Sequence, residues 1–214
     1  MASVSMRTKF MRRYEAMPEL KKAELVEGKV YIMASPVRLT FHARPDFLMQ
    51  GWLNHYELAT PGVEGTSNPK SKLDARNIPQ PDSLLRLLPE YGGKSRIDTD
   101  GYLSGPPELV VEIAASTRSI DLHEKLMAYQ KAGIPEYIVW CTEDEHFKWF
   151  HLKDGKYLEM MPDDRGIYRS RGFPGLWLDV NALFIGNMKG VITVLKRGLK
   201  SAEHKKFLRQ SAHR

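Results

Sequence analysis

A chain of 214 residues, 42% apolar and 27% charged, is long enough to bury a sizeable core and suits one domain with extensions. No apolar run reaches membrane length and Met1 to Met17 is polar and basic, which argues against a membrane or secreted protein. The single cysteine, Cys141, leaves no disulfide framework or cysteine zinc cluster, so a reducing cytoplasm is the expected location. The net charge of +6 is concentrated at the ends. Lys196, Arg197, Lys200, Lys205, Lys206, Arg209 and Arg214 stand against Glu203 alone, and Arg7, Lys9, Arg12 and Arg13 precede a mildly acidic body. Basic ends suit a polyanion such as nucleic acid, although solvated tails give the same pattern.

The expected organisation is a basic arm over residues 1–18, one domain over 19–186 and a basic helical extension over 187–214. Residues 25–33, LVEGKVYIM, predict a β-hairpin at the edge of the sheet. Glu24 and Glu27 read most simply as surface and turn residues, with a place beside a metal as the alternative. Residues 43–59 predict a helix with Pro45 and Asp46 in its first turn and Phe47, Leu48, Gly51, Trp52 and His55 along one face. His42, just ahead of it, is either a hydrogen-bonded structural residue or part of a site. Residues 63–88 predict two strands joined through SNPKSKLDARNIPQ, with Asp82 behind Pro81 at the entrance of the second. Asp after Pro is ordinary turn chemistry, but here the acid would stand beside the next strand. Residues 89–107 predict a long loop, a kind of connection that tends to be functional or mobile.

The most informative stretch is residues 107–140. Leu109 to Ile113 is apolar except for Glu112, as a central strand covered on both faces would be. An ionised Glu112 there would lose several kcal/mol of hydration, so it needs a cation, a proton or a solvent-filled cleft. Asp121 and Glu124 resemble a capping box for a helix that ends at Gly133 and Pro135. Helical spacing puts Leu122, Leu126, Tyr129 and Ala132 on one arc with Lys125 among them. A lysine on the sheet-facing side, one connection after Glu112, predicts that the two meet; the alternative is an ammonium snorkelling to solvent. EYIVW then closes a strand–helix–strand unit, which makes the sheet at least partly parallel.

Further on, a hairpin is predicted about Lys153-Asp154-Gly155, with Phe147 and Trp149 covering the sheet. A short strand follows around Tyr168. From Asn187 two helices are expected, the first ended by Gly198 and the second capped by Ser201.

Two carboxylates, Asp82 and Glu112, converging within about 5 Å would repel by about 3 kcal/mol at an effective dielectric near 20. A divalent cation removes that repulsion, and hard oxygen ligands favour Mg²⁺ or Mn²⁺. With a lysine added, the parts are those of metal-assisted phosphodiester hydrolysis. No P-loop, no GxGxxG and no serine nucleophile elbow offers a competing chemistry.

The pair Pro81-Asp82, the segments PELVVEIAAST, DLHEKLMAYQKAGIPEYIVW and GFPGLWLDVNALF, and the opening ELVEGKVYIM with His42 after it resemble the Uma-type family of restriction endonucleases. The tail GLKSAEHKKFL is like that of one subgroup. The family is a branch of the PD-(D/E)XK nuclease superfamily, and the resemblance runs over residues 20–210. It implies an α/β fold with a restriction-endonuclease-like mixed sheet flanked by helices, added hairpins and a C-terminal helical pair. It also implies a metal-dependent endonuclease acting on DNA, with homodimerisation as a further analogy. By this resemblance Asp82 and Glu112 are the two signature acids and, with the Ile113 carbonyl, the metal ligands. The lysine expected two residues after Glu112 is replaced by Ala114, and Lys125 on the next helix stands in for it. Glu27, His42 and Asp121 are neighbours of the site, Asp121 as helix cap or ligand. The competing reading is a nuclease fold without chemistry that binds nucleic acid or protein.

Overall fold

The computed structural model describes residues 5–32, 38–115 and 117–211. Met33 at the end of the expected hairpin, and Arg214 of the basic tail, lie outside them. The basic arm contains a helix, α1 (Met6–Glu15), capped by Ser5 and seated through Phe10 and Met11 on Ala23, Leu25 and Ile78. β1 (Ala23–Val26) and β2 (Lys29–Ile32) form the expected hairpin about Glu27-Gly28. The hairpin is not an edge of the main sheet, however. It is a separate two-stranded sheet tied by Leu25 to Ile78, with Ala23 and Leu25 of β1 spent on the α1 core and Val30 and Ile32 of β2 exposed.

A wide π-type turn, Leu39–Ala43, leads into α2 (Arg44–Leu58). Its buried face is Leu48, Met49, Trp52, Leu53 and Tyr56, one step round from the expected arc, with Phe47 and His55 exposed. β3 (Val63–Ser67) pairs antiparallel with β5 (Ser83–Leu87), and β4 (Ser71–Lys72) lies between them in sequence. The expected long loop at 89–107 holds β6 (Arg96–Ile97) and β7 (Leu103–Ser104), which join β4 in a small three-stranded sheet. Strands of two residues carry no readable alternation, which is why the sequence pattern missed them.

β8 (Leu109–Ala114) is buried along its whole length. Leu109, Val111 and Ile113 enter a core with Trp52, Tyr56 and Trp149, whereas Val110 and Ala114 enter another with Tyr129, Tyr137 and Val139. Glu112 follows the alternation onto the second face. β8 pairs antiparallel with β5 and parallel with β9 (Glu136–Cys141), and the crossover between β8 and β9 is a helix in three parts. These are α3 (Arg118–Ile120), a π-type turn Asp121–Lys125 and α4 (Leu126–Ala132), ended by Gly133 at φ 77°. β10 (His146–Lys153) and β11 (Lys156–Met160) form the second hairpin, completing a mixed six-stranded sheet of order β11-β10-β9-β8-β5-β3.

β12 (Ile167–Arg169) pairs with β13 (Trp177–Asp179), followed by α5 (Val180–Phe184), α6 (Met188–Leu199) and α7 (Ala202–Ser211). Val191 and Leu195 of α6 complete the core above α2. Gly198 does not end α6. It lies inside the helix, where a Cβ would collide with the carbonyl oxygen of Gly175, so glycine here permits a close backbone approach. At the opposite sheet end from the site, buried Glu136 accepts from Ser170 Oγ (2.7 Å), Arg171 N (2.6 Å), Gly172 N (3.1 Å) and Trp149 Nε1 (3.2 Å) and pins the 170–173 turn. The expected mixed sheet flanked by helices, with C-terminal helices, is the architecture observed.

Candidate active site

Antiparallel pairing of β5 with β8 sets Ser83 opposite Val111, which brings the residue before β5, Asp82, to the end of β8. Asp82 is buried, and its Oδ2 accepts the Ile113 backbone N–H at 2.8 Å. Its Oδ1 takes the ammonium of Lys22 at 2.8 Å, and His42 Nε2 stands 3.4 Å from Oδ2. On β8, Glu112 Oε1 accepts from Lys125 Nζ (2.9 Å) and from the Tyr129 hydroxyl (2.7 Å). Lys125 does not snorkel. It is fully buried and also faces Glu24 Oε2 at 3.0 Å and Asp121 Oδ1 at 3.2 Å, close enough for ion pairing.

Each placement has a local cause. In β1, Ala23 and Leu25 point into the α1 core, so Glu24 points the other way, toward Lys125; its Oε1 accepts the Gln80 N–H at 2.6 Å. The surface reading of Glu24 is therefore wrong, and it is an acid of the cluster. Glu27 keeps its turn role at φ 48°, with its carboxylate on Asn77 (3.3 Å) and Lys131 (2.6 Å). Asp121 is not a helix cap. The helix begins at Arg118 after Thr117, and the wide turn directs Asp121 inward, four residues from Lys125. Lys22 carried no pattern beyond standing two residues before Glu24, on the same side of the extended chain.

One ammonium cannot neutralise three carboxylates. Burial, with the neighbouring acids adding to it and Lys125 opposing, pushes both Glu112 and Asp121 above the usual carboxylate range. Burial works against the charge on Lys125, but Glu112, Glu24 and Asp121 outweigh it and hold the lysine firmly cationic. Burial would likewise raise Asp82, yet His42, Lys22 and Lys125 win and hold it well below its ordinary value. His42 is raised by its contact with Asp82 against burial. The cluster thus separates into an ionised Asp82 beside partly exposed cations and a deeper, proton-retaining acid group around Lys125.

The family model for Uma2, described as "Putative restriction endonuclease", matches residues 9–181. The chain belongs to the Uma2 family. Uma2 membership supports a nuclease, and restriction-endonuclease-like families generally use divalent metals. A solved structure from Anabaena variabilis ATCC 29413, described as "a putative nuclease belonging to DUF820", has the same fold, with a TM-score of 0.61 at 10% identity over 86% of this chain and 98% of that one. No curated protein matches. Among the described residues of this Uma2 chain, no group of three or more His, Cys, Asp or Glu is arranged to hold a metal ion, and no helix is long and apolar enough to cross a membrane. The donors that remain for a metal are two carboxylates and a backbone carbonyl, hard oxygens at the junction of β5 and β8. The acids of the cluster outnumber its lysines.

Proposed function

We propose that this Uma2 chain is a metal-dependent deoxyribonuclease that hydrolyses phosphodiester bonds of DNA at the Asp82–Glu112 cluster. The observation that carries this reading is the link from Asp82 Oδ2 to the Ile113 N–H, one residue from a Glu112 that Lys125 holds at 2.9 Å. Asp82, Glu112 and the Ile113 carbonyl would hold one Mg²⁺ or Mn²⁺, which supplies charge neutralisation and water activation at the scissile phosphate. The chain's own residues prepare that place. The Ile113 N–H fixes the direction of Asp82, while Tyr129 and Lys125 both engage Oε1 of Glu112 and leave Oε2 for a cation. Lys125 keeps Glu112 oriented and opposes the burial and neighbouring acids that raise it.

A second reading, a silent nucleic-acid- or protein-binding module, is favoured by one observation: Asp82 already carries Lys22 and faces His42. Cleavage of supercoiled plasmid by wild type, Asp82→Asn and Glu112→Gln in Mg²⁺, Mn²⁺ or EDTA separates the two. Metal-dependent nicking that falls at least about 100-fold in both variants is expected. Binding to DNA without cutting in either metal would favour the silent module.

A further inference from the structure

We infer that Lys22, rather than Lys125, is the lysine that meets the phosphodiester, and that its ammonium competes with a divalent cation for Asp82. This rests on the nuclease reading above. The two lysines differ in what they can leave behind. Lys125 is enclosed by Glu24, Glu112 and Asp121 at 3.0, 2.9 and 3.2 Å, with 2% of its side chain exposed. Moving its ammonium toward a substrate would strand three buried carboxylates. Among the described residues Lys22 has one carboxylate within ion-pair distance, Asp82 Oδ1 at 2.8 Å, and 21% of its side chain faces solvent.

Its place in the chain fits that role. Lys22 stands immediately before β1, which is pinned to the α1 core by Ala23 and Leu25, so the ammonium stays tethered at the cluster when it leaves Asp82. On Asp82, Oδ2 is taken by the Ile113 N–H and faced by His42, which makes Oδ1 the oxygen a cation can gain, and Lys22 sits on it. Cation binding and the Lys22–Asp82 pair therefore compete. A displaced ammonium beside an arriving phosphodiester finds a new anionic partner and opposes the charge that builds on the phosphoryl oxygens.

The competition gives metal affinity and cleavage opposite signs in one variant. Wild type, Lys22→Met and Lys22→Arg are titrated with Mn²⁺ by calorimetry without DNA, and then assayed on supercoiled plasmid at saturating Mn²⁺. Lys22→Met is expected to bind Mn²⁺ about fivefold more tightly, the weight of one part-exposed ion pair, and to cut about 100-fold more slowly. Lys22→Arg recovers part of the rate. If Lys22→Met does not fold, as judged by thermal unfolding, Lys22→Gln is measured in its place. A role confined to steadying Asp82 would weaken Mn²⁺ binding instead. That result, or wild-type cutting by the neutral variant, removes Lys22 from the reaction and leaves the nuclease reading standing. A wild type that neither binds Mn²⁺ nor cuts overturns both.

Discussion

Enclosing one ammonium among Glu24, Glu112 and Asp121 takes a cation and three acids out of water, and the arrangement survives only while every partner is present. Lys125→Met is expected to lower unfolding free energy by about 3–5 kcal/mol, measured by urea denaturation at pH 7. Adding Glu24→Gln and Asp121→Asn should return much of it, and an unchanged midpoint for the single variant would contradict the ion cluster. Lost cleavage in a Lys125 variant would consequently report on folding as well as chemistry. At this scale Glu112 and Lys125 were readable because each broke a pattern, an acid inside an apolar strand and a lysine on an apolar arc, whereas Asp82, ordinary turn chemistry after a proline, was singled out by the family resemblance. Glu24 and Lys22 broke none. A short strand with one acid looks like an exposed edge, and what buries Glu24 is a lysine distant in sequence.

Among the elements, α7 is fastened to the body by a histidine. His204 Nδ1 faces the Leu199 carbonyl at 2.9 Å and Nε2 faces the Thr60 hydroxyl at 3.0 Å, an arrangement that a neutral ring satisfies. Burial, partly offset by the Leu199 carbonyl, holds this histidine below its ordinary value of 6.5. Below pH 6.5 the unfolded chain takes up a proton that the folded chain resists. This contribution to stability is therefore complete above pH 6.5 and declines as pH falls toward the folded value. Thermal unfolding of wild type and His204→Gln between pH 7.5 and pH 5.5 should show the wild type losing more on acidification. The difference between the two cancels His151, which shifts in the same direction, and Glu136, which shifts in the other. Parallel curves would contradict this role.

The elements themselves were legible where periodicity ran long. β8, the crossover helix and β9 were read from an apolar run, an arc and a glycine stop. The same reasoning failed at the π-type turn, which moves Asp121 inward, and at β6 and β7, which are too short to alternate.

Across the whole molecule, the acids of the site are gathered at one end of β5 and β8 while exposed basic residues cover α1 and α7. An acidic cluster repels a polyanion unless a cation covers it, and basic surfaces elsewhere can supply the attraction that brings the polyanion near. The fold was readable at this scale from the order of elements together with the family resemblance. The seat of the hairpin was not, because contacts between α1 and Ile78 decide it. The most direct measurement is an anomalous difference map from crystals soaked in saturating Mn²⁺. A peak between Asp82 Oδ1 and Glu112, with the Lys22 ammonium moved off Asp82, is the expected result. No peak at that place, with Lys22 still on Asp82, would contradict a metal-dependent site.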